Sequence, residues 1–520
     1  MFSICLYMRE IHFLILCTLF FTTQSAKILS IFMTPTYSHQ IFYQPIWREL
    51  SLRGHKVTVY TPNPINDNSL TNLTEYDLGF SYDIVKNIHF QDTNSPSDNL
   101  KLISKIYESV FEGQMNHKYL QDLIRNANNE TYDLFLVEYM WQSYYAFKEL
   151  YNVPMVGISS LPLTLLASES LGMEKHPVLD PEIFLQFSNA NTLGRKILSW
   201  AYNWFYKILV KPQLQNKFNQ EIRKYFGEGI KDVRDLAKEV SLIIGNYNFV
   251  LQNIKPLLPN YIPISSVHIK SRKPLPKDLA QHMDNLKTDA IYFSLGSNIK
   301  SSKVFMPKLE ELLKILGSLP YTILWKYETD KLPKNLPKNF LVRKWFPQQD
   351  ILGHPKVKLF ITQGGIQSIE EAIVREVPML IMPFLFDQKV NADRCVELGI
   401  AETVNFYEFT EEEMDNKIKK LLNNQMYHKN IKEKAQIIRD QPLNPVDTAV
   451  FWIEYVLRHN GAPHLHYKGA DLPFYEYYML DVYAVIGIAS YIMLRIFKIV
   501  LKVIFLFYYR AKKRILCKII

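Results

Sequence analysis

Cysteine is scarce in this 520-residue chain, which carries four. Cys5 and Cys17 fall within the first 25 residues and Cys517 in the last few, so the body keeps Cys395 alone. A disulfide scaffold inside the body is therefore excluded, and the fold must rest on hydrophobic cores. Glycine-rich nucleotide loops are missing as well. No G-x-G-x-x-G follows the first strand of either half, and no Walker A motif occurs, which disfavours dinucleotide redox chemistry and ATP hydrolysis. No D-x-D pair occurs anywhere. Low-complexity sequence is absent, and aromatics make up 13% of the residues, so disorder is not expected. Acidic residues are missing from 495–520, where Arg495, Lys498, Lys502, Arg510, Lys512, Lys513, Arg514 and Lys518 account for most of the net charge of +9. Without that tail the chain is close to neutral, and its basic balance gives no reason to expect a nucleic-acid partner.

The two ends read as membrane-related segments. Arg9, an apolar run from Ile11 to Phe21, and small residues at Thr23, Ser25 and Ala26 predict a cleaved signal peptide over 1–25. Residues 478–509 predict the membrane region. Either a span ends near Leu494 and an amphipathic basic helix follows, or a longer tilted span lets Arg495, Lys498 and Lys502 snorkel. The basic tail, 510–520, is then cytosolic by the positive-inside rule and the body lumenal or extracellular. Membrane lipid is accordingly an expected partner. Two glycosylation sequons, Asn72–Leu73–Thr74 and Asn129–Glu130–Thr131, agree with a secreted body.

Between the ends the hydrophobic pattern alternates strand and helix twice. Residues 26–255 open with a strand (27–33), a helix (about 40–52) and a second strand (56–61), and further strands are expected at 134–138 and 154–159. Residues 160–235 are mostly helical and aromatic-rich, candidates for walling an acceptor pocket, although a stripe of Trp and Phe is more often core. A proline-rich stretch, KPLLPNYIPISSVHIKSRKPLPKDL, breaks the pattern and reads as a linker over 256–279. A second α/β half covers 280–460, and 461–477 is a juxtamembrane segment. The pattern predicts two doubly wound, Rossmann-like domains facing a cleft.

Residues 342–388 are the most informative stretch: VRKWFPQQDILGHPKVKLFITQGGIQSIEEAIVREVPMLIMPFLFDQ. Two apolar runs, KLFIT and VPMLIMPF, flank a turn containing Gly364 and Gly365 and a short helix. Such a unit presents ligands at the carboxyl edge of a parallel sheet. Glycines let backbone N–H groups approach an anion, and a helix N-terminus favours one, so a pyrophosphate suits Thr362–Gln363–Gly364–Gly365. Gln367 and Glu371 share a helix face, and a carboxylate accepts well from ribose hydroxyls. Trp345, with Gln348 three residues on, suits a base through stacking and hydrogen bonding. Asp387 and Gln388 could hold sugar hydroxyls, and Ser294–Leu295–Gly296–Ser297 supplies another small polar edge. In the amino-terminal half, His39 follows the first strand, at a helix N-terminus that disfavours a cationic ring. From position alone it could equally be a packing histidine.

This stretch resembles the signature of the UDP-glycosyltransferases, the membrane-anchored detoxifying and hormone-conjugating enzymes. The resemblance extends over nearly the whole chain, through YSHQ at 37–40, SLGS at 294–297, the carboxy-terminal span and the basic tail. TQGG and LVEYMWQSYYAF (136–147) are most similar to insect members. The resemblance implies a GT-B fold, with a UDP-sugar held by the carboxy-terminal domain and a small lipophilic acceptor by the amino-terminal one. It implies that Trp345 stacks on uracil, Gln348 bonds to it, and Glu371 binds ribose. Ser294, Gly296 and the turn of Gln363, Gly364 and Gly365 take the diphosphate, with Gln367 and Ser368 on the following helix. Asp387 and Gln388 take the hexose. His39 becomes the general base of an inverting transfer, oriented by a carboxylate at the end of the strand 134–138. The family has aspartate there and this chain has Glu138, with Asp133 as the fallback at the far end of the strand. Many vertebrate relatives have histidine where Gln363 stands, so the phosphate contact here is neutral. No metal and no cofactor are expected beyond the UDP-hexose co-substrate, with glucose favoured over glucuronate. The resemblance also implies an endoplasmic reticulum membrane location, single-pass with a lumenal body, and leaves room for homo-oligomers. The alternatives are a non-catalytic lipophile- or UDP-sugar-binding protein of the same fold and a UDP-sugar epimerase.

Overall fold

The computed structural model describes residues 25–86, 96–297, 299–303, 306–384 and 386–519. The predicted signal peptide therefore lies, but for Ser25, outside the described residues. The body extends to His466, and Tyr467–Ile520 form a separate compact unit.

Two parallel sheets organise the body. The first has seven strands: β1 (Lys27–Ile31), β2 (Lys56–Thr61), β3 (Leu73–Asp77), β4 (Leu134–Glu138), β5 (Met155–Ser159), β6 (Val240–Asn246) and β7 (Tyr261–Ile264), in the order 3-2-1-4-5-6-7. The second has six: β8 (Ala290–Ser294), β9 (Thr322–Lys326), β10 (Phe340–Arg343), β11 (Val357–Thr362), β12 (Met379–Ile381) and β13 (Ala401–Thr403), in the order 10-9-8-11-12-13. Central strands such as β4 (LFLVE) and β8 (AIYFS) are buried along their whole length, because helices cover both faces of each sheet and leave no polar side. Each sheet reverses its strand order once, between β1 and β4 and between β8 and β11. Crevices at the carboxyl ends of such strand pairs are where open α/β sheets take ligands. Ile31 pairs with Val137 at one crevice and Thr362 with Ser294 at the other.

Helix α1 (Tyr37–Leu52) buries Tyr43, Ile46, Trp47 and Leu50, a helical spacing that turns one face to the first sheet. It begins three residues earlier than the sequence pattern suggests, which places His39 in its first turn. A second difference concerns the linker. Residues 261–264 are not linker but β7, paired with β6, and 277–284 form a helix. The connection is thus shorter than 256–279. A third concerns residues 377–384, where the strand is limited to Met379–Ile381. Later in the chain, beyond α2 (Pro96–Met115) and several further helices, α7 (Pro445–Arg458) returns to the first domain. There Ala449, Val450, Ile453 and Val456 share a core with Phe42, Trp47 and Leu50 of α1.

The aromatic-rich stretch divides in two. Along α3 (Leu193–Phe205), Ile197, Trp200 and Phe205 are exposed. Tyr206 and, on α4 (Lys211–Phe226), Phe218 are buried. The expectation that this stretch walls a pocket therefore applies to part of it only. Cys395 is buried, and its burial pushes the thiol up to about 12, as suits an unreactive core residue. Of the two sequons, Asn129 is exposed, whereas Asn72 is half-buried with its amide 3.5 Å from the Ser51 carbonyl.

In the carboxy-terminal unit, α8 (Leu480–Ile519) is a single helix of 40 residues. Within Leu480–Arg514 its most apolar 18-residue window has a mean hydropathy of 2.0. The helix runs through Leu494 without a break. At 1.5 Å per residue it is longer than a bilayer core of about 30 Å requires.

Candidate active site

The two crevices open into one cavity of about 1540 Å³ between the domains. Its lining takes in His39 from the first domain. From the second it takes in Ser294, Gly296, Trp345, Gln348, Gln363, Gly365, Gln367, Ser368, Glu371, Asp387 and Gln388. Of the residues singled out in the sequence, Glu138 and Gly364 lie behind this wall, each supporting a residue that lines it.

Glu138 ends β4 and is fully buried. His39 Nδ1 lies 3.3 Å from its Oε1. The same oxygen accepts from Tyr43 Oη at 3.0 Å, and Oε2 accepts from the Thr34 backbone N–H at 2.8 Å. Tyr43 is fixed in turn against Ser160, with Oη 3.0 Å from Oγ, and burial, with Glu138 beside it, holds its phenol well above the ordinary range. A carboxylate only accepts, so in the neutral ring the proton sits on Nδ1 and Nε2 keeps its lone pair. The extra methylene of glutamate is accommodated because three donors converge on the carboxyl group from β1's loop and α1. Asp133, at the opposite end of β4, instead accepts from the Lys27 backbone N–H at 2.7 Å and is remote from the ring.

Asp387 precedes α6 (Gln388–Glu397). Burial holds its carboxyl above the usual range, against a hydrogen bond from Asn391 at 2.7 Å and the attraction of His39. Asp387 and His39 line the same cavity from opposite domains. The Gln388 side-chain oxygen accepts from the Phe384 backbone N–H at 2.8 Å and pins the loop after β12.

The turn after β11 leads into α5 (Ile366–Val374), with Gly365 as its N-cap. Gly364 has φ +88°, and a Cβ there would lie 2.7 Å from Ile381 Cγ2 and 3.3 Å from the Gln388 carbonyl oxygen. Gly365 has φ −65° and ample room, its nearest neighbour being 3.6 Å away. Gly364→Ala is therefore expected to destabilise the protein by about 1–3 kcal/mol through a left-handed, crowded Cβ, seen as a lower thermal midpoint. Gly365→Ala should leave the midpoint nearly unchanged. Gly296 also has φ +72° and faces Gln363, whose Nε2 would be 2.4 Å from a Cβ there. Gln363 thus packs directly over the SLGS turn, buried.

Trp345 is 53% exposed, unusual for an indole and suited to a stacking platform. The Tyr37 ring from the first domain meets it edge-on, with centroids 5.2 Å apart. The Gln348 amide donates to Ser368 Oγ at 3.0 Å and Glu371 Oε2 at 2.7 Å, while its oxygen accepts from Tyr292 at 3.1 Å. Gln367 turns away from Glu371 and donates to the Ser160 carbonyl at 3.1 Å, bridging the two domains.

Several contributors were not visible in the sequence. Lys326, at the end of β9, is buried with Nζ 2.9 Å from the Gly296 carbonyl, 3.3 Å from Glu328 and 5.6 Å from the centre of the Trp345 ring. It brings a cation to the edge where a diphosphate would lie. Only its place at a strand's carboxyl end could have signalled this. Tyr43, Ser160 and His268 carried no local signal.

Two parallel-sheet domains, with a His–carboxylate pair on one side of the cleft and a glycine turn at a helix N-terminus on the other, define a GT-B glycosyltransferase. Comparisons with known proteins agree. Residues 26–518 match the family described as UDP-glucoronosyl and UDP-glucosyl transferase. UDP-glycosyltransferase UGT4 of Dactylopius coccus is 30% identical, covering 94% of this chain and 98% of its own length. UDP-glucuronosyltransferase 1A8 of Rattus norvegicus is 31% identical, covering 89% of each. Among solved structures, a spinosyn forosaminyltransferase (TM-score 0.57, 18% identity) covers 84% of this chain and 100% of its own. A UDP-glucose:anthocyanidin 3-O-glucosyltransferase in complex with UDP (TM-score 0.56, 13% identity) has the same coverage. Both share the fold. The chain belongs to the UDP-glucuronosyl and UDP-glucosyl transferase family, and its donor is a UDP-sugar.

Proposed function

We propose that the protein transfers a hexose, glucose by preference, from UDP to the hydroxyl of a small lipophilic acceptor, with inversion and without a metal. The observation that carries this reading is the His39–Glu138 pair: the imidazole is held through Nδ1 and lines the cavity shared with the donor edge. Nε2 removes the acceptor proton as that oxygen attacks the anomeric carbon, and Glu138 stabilises the imidazolium that forms. UDP departs from the opposite face of the sugar. Trp345 receives uracil, Glu371 the ribose, and Asp387 with Gln388 the hexose. The diphosphate rests against Ser294, the Gly364 turn and the N-terminus of α5, with Lys326 supplying the charge that Gln363 does not. Phe184, Tyr206, Phe218 and Trp141 line the apolar end of the cavity, which fits a lipophilic acceptor.

Orientation follows from the basic tail. The helix α8 anchors the chain with the tail cytosolic and the body lumenal, and the endoplasmic reticulum is the compartment that the family resemblance implies. The test is a donor panel with a phenol, analysed by mass spectrometry and product stereochemistry, with and without a chelator. A β-glucoside formed at an unchanged rate in chelator is the expected result. Glucuronide as the main product would overturn the donor assignment, an α-glucoside the inversion, and activity lost to chelator the metal independence.

A further inference from the structure

His268 lies in the short connection that leaves the first domain after β7, yet its ring is buried against α5 of the second domain. Nε2 is 3.2 Å from the Gln367 carbonyl oxygen and 3.4 Å from Glu371 Oε1. Nδ1 is 3.7 Å from Oε2 of Glu370, which is itself fully buried. The backbone of His268 joins the same arrangement. Its carbonyl accepts from Gln349 Nε2 at 3.1 Å, and that amide also donates to Glu371 Oε1 at 3.1 Å. Glu371 Oε1 is thus gripped from the connection, and Oε2 from Gln348.

Two adjacent buried carboxylates repel each other unless one is neutral or a cation lies between them. Burial pushes Glu370 up to about 7. Burial alone would lower His268, but the hydrogen bond to Glu371 and the charges of Glu371 and Glu370 outweigh it and raise the imidazole above its ordinary range. Arg375, Tyr37 and Tyr292 are the other titratable groups that feel Glu371. A protonated ring offers an N–H to each side, which a neutral amide cannot reproduce.

We propose that His268 is a positioning residue for the donor: it holds the Glu371 carboxylate in the orientation that receives the ribose diol. Donor affinity is thereby tied to the segment joining the domains. The inference rests on the reading of Glu371 as the ribose-binding group. A carboxylate already fixed in place loses no rotamer freedom on binding, and the neighbouring groups that fix it determine how well it binds.

The experiment compares UDP with 2′,3′-dideoxyuridine diphosphate, which lacks the ribose hydroxyls, by equilibrium titration of the full-length chain in nanodiscs. His268→Gln is expected to weaken UDP by roughly 10- to 100-fold, as for a lost charge-assisted hydrogen bond, and to leave the dideoxy analogue almost unaffected. The KM for UDP-sugar should rise in step, with kcat and the acceptor KM little changed. A merely structural defect would weaken both ligands alike, and that result overturns the proposal. Glu371→Ala separates the two ideas. If it leaves the preference for UDP over the analogue intact, the ribose reading fails. If it abolishes the preference while His268→Gln keeps it, the positioning role alone fails. Should the glutamine variant not fold, His268→Asn, smaller and still polar, is held to the same criterion.

Discussion

His39→Ala is expected to lower kcat by about 10²–10⁴-fold, the usual contribution of a positioned general base, while UDP affinity stays within a few-fold of native. The reason is spatial. His39 belongs to the amino-terminal domain and, on the proposed reading, touches the reacting oxygen, whereas uridine and the diphosphate contact the other domain. The ring is half-buried, anchored through Nδ1 on a carboxylate 3.3 Å away, so its truncation leaves little cavity and the fold should persist. Turnover of a phenol with UDP-glucose, alongside UDP titration, measures both quantities. A protein that binds UDP-sugar and lipophile without catalysis would show no turnover in the native chain either.

Glu138→Gln is the second large effect. Glu138 accepts from the Thr34 N–H, from Tyr43 Oη and from the imidazole. An amide has one accepting oxygen and one donating nitrogen. If its oxygen keeps the Thr34 N–H, its NH₂ faces Tyr43 and His39 Nδ1, which forces the tautomer with the proton on Nε2. That ring can no longer take a proton from the acceptor. A kcat loss of about 10²–10⁴-fold is expected, comparable to other cases where the orienting carboxylate is neutralised. Stability should fall by about 1–3 kcal/mol for the mismatched buried donor. Glu138→Asp should retain more activity than Glu138→Gln, because it keeps the charge and sacrifices only reach. Steady-state kinetics and a thermal melt of the three proteins distinguish these outcomes.

Much of the architecture was legible because strands in a doubly wound sheet are apolar throughout and end at polar, small or glycine-containing turns. Those turns, after β1, β4, β8 and β11, are the two crevices. The linker was misjudged for a specific reason. Pro263 looks like a breaker, but β7 is the edge of its sheet, and an edge strand tolerates a residue without an N–H. The aromatics of 193–226 were ambiguous because periodicity gives a stripe without saying whether it faces a cavity or the outside. His268 and Lys326 were not legible at all. Their partners lie about a hundred residues away for His268 and thirty for Lys326, and nothing local distinguishes either from an ordinary surface cation. The helix α8 continued through Arg495, Lys498 and Lys502 because the sequence after Gly487 contains neither glycine nor proline to interrupt it.

The central claim is that His39 and Glu138 act as one unit on the acceptor. The measurement that tests it most directly is kcat for His39→Ala, Glu138→Ala and the double variant with UDP-glucose and a phenol. Residues that work as a unit are grossly non-additive. The double variant is therefore expected to be no slower than His39→Ala, within about threefold. Losses that multiply across the two sites would show that they act independently and would contradict the account.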